Sequence, residues 1–159
     1  MSGGEPQGEP QGEQRAEQRT ARRAVASMLA SDAFSRWLGI RVTSIRPHEV
    51  TATMTVRAEM TNGFGVCHGG VTFALADSAL AFASNTHGQV TVSVENGISY
   101  PAPVHAGDEL TAHAVQETAA RRLAFYRVRV TNQHDAVVAL FRGTVYRTDR
   151  PLELTVEGT

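Results

Sequence analysis

Asp77 is the one charge in the run Val71-Thr72-Phe73-Ala74-Leu75-Ala76-Asp77-Ser78-Ala79-Leu80-Ala81-Phe82-Ala83-Ser84. A carboxylate taken out of water without partners costs several kcal/mol or takes up a proton. Such an acid is either held for chemistry, as a general base or nucleophile, or tied off by a nearby hydroxyl such as Ser78 or Ser84. Just upstream stands His68-Gly69-Gly70. If a helix begins there, its first N–H groups lack internal acceptors and carry positive polarity, which suits a carbonyl oxygen or an oxyanion. The bland alternative is a tight, glycine-lined entry to the helix. Asn62-Gly63 reads as a turn pair. Cys67 adjoins His68, but neighbouring side chains rarely face one another, so Cys67 reads as a small packing residue. No Gly-x-Ser-x-Gly elbow is present, and no His/Cys/Asp grouping has metal-ligand spacing, so neither a metal nor a cofactor is expected.

Spacing sharpens the chemistry. Gly69 and Asp77 are eight positions apart, roughly 12 Å along a helix at ~1.5 Å per residue. A reacting carbonyl must lie ~3 Å from both its oxyanion donor and its attacking group. One helix cannot supply both to one carbon. Two antiparallel copies can, with Gly69 of one chain facing Asp77 of the other. If both residues are catalytic, the site straddles a two-fold interface.

The elements that must hold these residues follow from periodicity. Residues 71–84 are apolar nearly all round, as a buried helix is. Residues 24–38 carry Val25, Met28, Leu29, Phe34, Trp37 and Leu38 at helical spacing, as one helix or two broken near Ser31-Asp32, with Gly39 as the stop. In the second half of residues 40–60, Val50, Ala52, Met54 and Val56 alternate with Thr51, Thr53, Thr55 and Arg57, a strand pattern of period two. Pro47-His48 is the turn to a shorter strand at 40–45. Residues 90–99, 109–116, 123–130 and 136–147 are rich in Val, Thr, Phe and Tyr and are separated by breakers. One antiparallel sheet laid around one central helix is the economical packing, an α+β arrangement.

Composition sets the outer bounds. The chain has 159 residues, net charge −1 and a single cysteine. No global field favours nucleic acid or an anionic membrane, and no intrachain disulfide can form. No apolar stretch is long enough to span a bilayer, and no apolar signal segment opens the chain. A cytoplasmic location is expected. Residues 1–23 repeat EPQG, balance four glutamates against four arginines and hold no large apolar residue after Met1. They are expected to be a disordered tail. The folded domain is expected at 24–150 and a frayed end at 151–159.

Thr61-Asn62-Gly63, Cys67-His68-Gly69-Gly70, Phe73-Ala74-Leu75-Ala76-Asp77-Ser78-Ala79 and Val138-Ala139-Leu140-Phe141-Arg142-Gly143 together resemble the hotdog-fold acyl-CoA thioesterases of the phenylacetate-degradation, PaaI-like type. The resemblance runs from about Ala24 to Arg147. It implies a sheet wrapped around the helix that begins near Gly70, with chains paired edge to edge into a homodimer or homotetramer. It implies that Asp77 attacks the thioester or activates water, that the Gly69 N–H polarises the carbonyl, that Asn62 holds water or substrate and that His68 orients the loop. Ser93 is the candidate assisting hydroxyl. Gly70, Phe64 and Tyr100 join it as candidate substrate contacts, with Phe73 and Phe82 as further apolar lining or plain core. Arg121, Arg122, Arg127 and Arg142 are candidates to meet coenzyme A phosphates. The implied reaction is hydrolysis of an acyl-CoA, aryl- or hydroxyphenylacetyl-CoA above all. A hotdog enoyl-CoA hydratase and a non-catalytic acyl-CoA-binding protein are the alternatives.

Overall fold

The computed structural model of the chain describes residues 9–154. Two helices open it, α1 (Glu9–Ser31) and α2 (Ala33–Leu38), followed by β1 (Arg41–Arg46), β2 (Glu49–Thr55) and a 3₁₀ turn at Ala58–Met60. The long helix α3 (Gly69–Asn85) comes next, then β3 (Gln89–Ser99), β4 (Glu109–Ala120), β5 (Leu123–Thr131) and β6 (Val137–Pro151). The six strands form one antiparallel sheet in the order β1-β2-β4-β5-β6-β3.

Alternation decides which face of that sheet is covered. Val50, Ala52 and Met54 of β2, Leu110, Ala112 and Ala114 of β4, and Ala124, Tyr126, Val128 and Val130 of β5 all point to one side and are buried. They meet Leu75, Ala76, Ala79, Leu80, Phe82 and Ala83 of α3 in one core. The opposite flank of α3 packs under α1 and α2, where Ser35 Oγ reaches Ser78 Oγ at 3.4 Å. Layers on both flanks explain why α3 shows no polar stripe. The helix wrapped by an antiparallel sheet is the expected hotdog arrangement.

Local signals sit where the residues ask for them. Asp32 caps α2 by accepting from the Ser35 N–H at 2.9 Å, and Gly39 ends it at φ 77°.

The N-terminal expectation needs correcting. Residues 9–23 are helical and continuous with the rest of α1, where their composition argues for disorder; residues 1–8 lie outside the described residues. Glu, Gln, Ala and Arg are strong helix formers, and a helix already nucleated propagates at little cost. The nucleus is the docked half, in which Ala21, Ala24 and Val25 are fully buried. Gln18 Nε2 donates to the Ile45 carbonyl at 2.7 Å, fastening the helix to β1. The far end differs too. β6 runs to Pro151, and the Leu152 N–H donates to the Gly88 carbonyl at 2.9 Å; residues 155–159 lie outside the described residues.

Candidate active site

The turn before α3 is built from residues 61–68. Thr61 and Cys67 pair as an isolated bridge, the Asn62 N–H donates to the Val66 carbonyl at 2.8 Å, and Gly65 takes φ 76° to close the loop. The His68 N–H donates to the Met60 carbonyl at 2.9 Å. His68 is also the N-cap of α3: its Nδ1 accepts from the Gly70 N–H at 2.9 Å. An accepting Nδ1 puts the ring proton on Nε2. With the Gly70 N–H taken by His68, the N–H of Gly69 is the one at the mouth of the helix with no acceptor among the described residues.

Tyr100, just past β3, lies across this mouth. Its hydroxyl donates to the Gly69 carbonyl at 2.8 Å, and a Cβ on Gly69 would stand 3.2 Å from its ring. Gly69 is therefore small for a reason of contact. Asn62 is partly spoken for: its Oδ1 accepts from the Phe64 N–H at 2.9 Å, an Asx turn that leaves the amide NH₂ as its remaining polar group. Phe64 stands at the tip of that turn, 93% exposed, not on a pocket wall of its own chain.

Asp77 is half-buried two turns further along α3. Its partners are neither Ser78 nor Ser84. Ser78 meets Ser35, and Ser84 donates to the Ala81 carbonyl. Instead Asn96 Nδ2 donates to Asp77 Oδ1 at 2.9 Å, and the Ser93 hydroxyl is a second donor. Burial pushes the Asp77 pKa above the usual carboxylate range, and the hydrogen bonds from Asn96 and Ser93 pull it back down. No charged neighbour contributes.

Ser93 and Asn96 are three apart on one strand, which in a regular strand places them on opposite faces. The register of β3 against β6 slips between them: Ser93 pairs with Val145, but Glu95 with Thr144 and Asn96 with Gly143. The extra residue is a β-bulge. It returns Asn96 to the face that carries Ser93 and covers Asp77. Asn96 is the residue sequence reasoning missed. Its one signal was an Asn-Gly pair inside a run that otherwise reads as strand.

The remaining candidates divide. Phe82 is fully buried in the core, and Phe73 packs edge-on against Phe141 at 5.3 Å, so Phe82 lines no pocket. Cys67 is buried beside Thr72, and burial raises its thiol pKa, the opposite of an activated nucleophile. Arg127 and Arg142 face each other across β5 and β6 on the side of the sheet away from α3; Arg142 lies over Gly97. Arg122 pairs with Asp149 at 2.6 Å. None of these arginines faces Asp77 of its own chain. Among the described residues no cluster of three or more His, Cys, Asp or Glu is placed to hold a metal, and no helix is long and apolar enough to cross a membrane.

Residues 64–139 match the family model described as the thioesterase superfamily. The acyl-coenzyme A thioesterase PaaI of Escherichia coli is 40% identical over 121 residues, 76% of this chain and 86% of its own. The solved PaaI protein from the E. coli phenylacetic acid degradation operon superposes with a TM-score of 0.83 over 85% of this chain and 98% of that one. Human acyl-coenzyme A thioesterase 13 is 35% identical over 114 residues, 69% of this chain and 80% of its own. A Streptococcus mutans protein solved with acetyl-CoA bound is 27% identical, with a TM-score of 0.68 over 70% of this chain and 90% of that one.

Proposed function

The chain belongs to the thioesterase superfamily, and from that premise we propose that it hydrolyses acyl-CoA thioesters to a free acid and coenzyme A, with Asp77 as the acting carboxylate. The observation that carries this reading is the pairing, on one helix, of an N–H at Gly69 without an acceptor among the described residues and a half-buried carboxylate at Asp77 beside the β3 edge of the sheet.

In this reading the Gly69 N–H of one chain receives the thioester oxygen, reinforced by the positive end of α3. Asp77 of the other chain takes the proton of a water as that water attacks, or attacks the carbonyl itself and is released by water in a second step. Either way the C–S bond breaks and the thiolate leaves. Asn62, through its free NH₂, and Ser93 stand as the groups that hold water or substrate. His68 works through geometry: by taking the Gly70 N–H it leaves the Gly69 N–H as the donor.

The chains pair through β3, which has no strand on its outer side among the described residues and along which Val92 and Val94 are exposed. The assembly is a dimer or a pair of dimers, working in the cytoplasm. An aryl- or hydroxyphenylacetyl-CoA is the favoured substrate class, supported by the operon of the E. coli relative. A hydratase is disfavoured because the relatives this chain matches carry acyl-CoA thioesterase names and His68 Nδ1 is committed to capping α3. Thiol release measured across aryl, short-chain and long-chain acyl-CoAs tests the reading. Free thiol from an aryl-acyl-CoA supports it; water addition to crotonyl-CoA with no thiol released overturns it.

A further inference from the structure

The Asn96 side chain is an awkward residue to keep for stability alone. Its amide nitrogen serves Asp77, but its Oδ1 is buried with no hydrogen-bond partner among the described residues. An orphaned buried acceptor costs about as much as a made hydrogen bond gains, so the pair contributes little net stability. Room for it is made at a second site. A Cβ on Gly143, the residue opposite Asn96 on β6, would stand 2.8 Å from that same Oδ1 and 2.5 Å from Leu80 Cδ2. The bulge between Ser93 and Glu95 is what turns Asn96 inward. A strand irregularity, a glycine and an unpartnered oxygen thus combine to bring one NH₂ group to one carboxylate. The amide cannot be turned round, because its oxygen would then face the ionised acid.

We infer that Asn96 is a positioning residue for Asp77, clamping Oδ1 so that the carboxylate is held ionised and in one orientation toward the thioester. This rests on Asp77 being the acting acid. The groups facing Asp77 are Asn96 and Ser93 from β3; Glu95 and Arg142, the nearest charges on β3 and β6, lie on the other face of the sheet. Among the described residues of its own chain, no charged side chain contributes to holding Asp77 ionised beside the amide.

The experiment is the pH profile of kcat/KM with a thiol-release assay, for the parent chain, Asn96→Ala, Asn96→Ser and Asp77→Asn. Losing the donor favours the protonated acid, so the acid limb of Asn96→Ala moves to higher pH. The rate falls about tenfold or more on the acid side, the loss expected for one hydrogen bond to a charged group, and recovers at alkaline pH. Asn96→Ser, which keeps a shorter donor, falls between and guards against a folding failure of the alanine variant. A limb that stays in place in both variants, whether or not the rate drops uniformly, overturns the inference. If Asp77→Asn is inert while the limb stays put, only the role of Asn96 falls. If Asp77→Asn is active, the reading of Asp77 falls first and the inference with it.

Discussion

The Tyr100 hydroxyl donates to the Gly69 carbonyl at 2.8 Å and ties the end of β3 to the first residue of α3. The same strand holds Asp77 through Asn96. Both working residues of the helix are therefore registered against one strand, at the edge where a second chain is expected. Tyr100→Phe removes one tie and leaves the ring in place. Turnover is expected to fall about fivefold, the equivalent of ~1 kcal/mol for an ordinary hydrogen bond, with little change in melting temperature. Steady-state kinetics beside a thermal melt check this; an unchanged kcat/KM would show that the tie does not position Gly69.

Asp77→Asn is expected to cut turnover ~10²-fold or more, as loss of a positioned base or nucleophile does. It is also expected to stabilise the fold. Burial raises the Asp77 pKa, against the pull of Asn96 and Ser93. The folded chain then holds that proton more tightly than the unfolded chain, so the ionised acid destabilises the fold at neutral pH, and the penalty fades as pH falls through the raised value toward 3.8. The melting temperature of Asp77→Asn should exceed that of the parent at pH 7–8, and the difference should shrink in acid. A variant less stable than the parent at neutral pH refutes the burial argument.

Gly143→Ala tests the room behind Asn96. The added methyl meets Leu80 Cδ2 at 2.5 Å and Asn96 Oδ1 at 2.8 Å in a packed interior. Overpacking of this kind costs ~1–3 kcal/mol, measurable as a lower denaturation midpoint. Activity should fall as well, because the easiest atom to displace is the amide that holds Asp77. A variant as stable as the parent would mean that β6 gives way without cost.

Much of this arrangement is legible in the sequence, for physical reasons that also mark where reading stops. The α2 cap at Asp32 and stop at Gly39, the Pro47-His48 turn and the buried run of α3 are local signals, and each stands where its residues ask. The helical half of the tail was missed because residues 11–23 bury almost nothing of their own, Ala21 alone being buried; they extend a helix whose docked part, from Ala24 and Val25 on, supplies the nucleus. Asn96 was missed for a subtler reason. Period two assigns faces only while the register is regular, and the bulge after Ser93 is fixed by pairing with β6, a partner about fifty residues away in the chain.

His48 and His87 stack at 5.8 Å beside α1, on a cleft of about 310 Å³ lined by Glu13, Glu17 and Thr20. His48 Nδ1 is buried without a partner among the described residues, and both ring nitrogens of His87 are buried beside the Ser84 backbone. Burial lowers both pKa values. His48 and then Arg147 lower that of His87 further, and Arg147 that of His48; the Ser84 backbone partly opposes the shift at His87 and Glu17 that at His48. Stability from keeping these rings neutral is present above 6.5 and is lost as pH falls below it toward the depressed values. The melting temperature should therefore drop between pH 7 and pH 5, before ordinary carboxylates titrate. His87→Phe should flatten that slope. An equal slope in the variant would assign the acid sensitivity elsewhere.

The proposed two-chain site makes a prediction no single-chain mechanism can reproduce. Gly69 and Asp77 lie on one rigid helix, roughly 12 Å apart at ~1.5 Å per residue, so one chain cannot bring both to one carbonyl carbon. Gly69 is the first residue of α3, a position where proline is tolerated because its N–H has no helical partner. Gly69→Pro therefore removes the proposed donor and keeps the helix, its ring displacing the Tyr100 side chain that a Cβ there would meet at 3.2 Å, and it should be nearly inactive, as Asp77→Asn should be. Unfolding and refolding the two variants together in equal amounts lets chains exchange. A mixed dimer then holds one site with both defects and one with neither. Random pairing makes about half the dimers mixed and restores about a quarter of parental activity if the site is built from two chains. A site contained in one chain recovers none, and light scattering on the same samples must show a dimer or larger assembly for the recovery to carry that meaning.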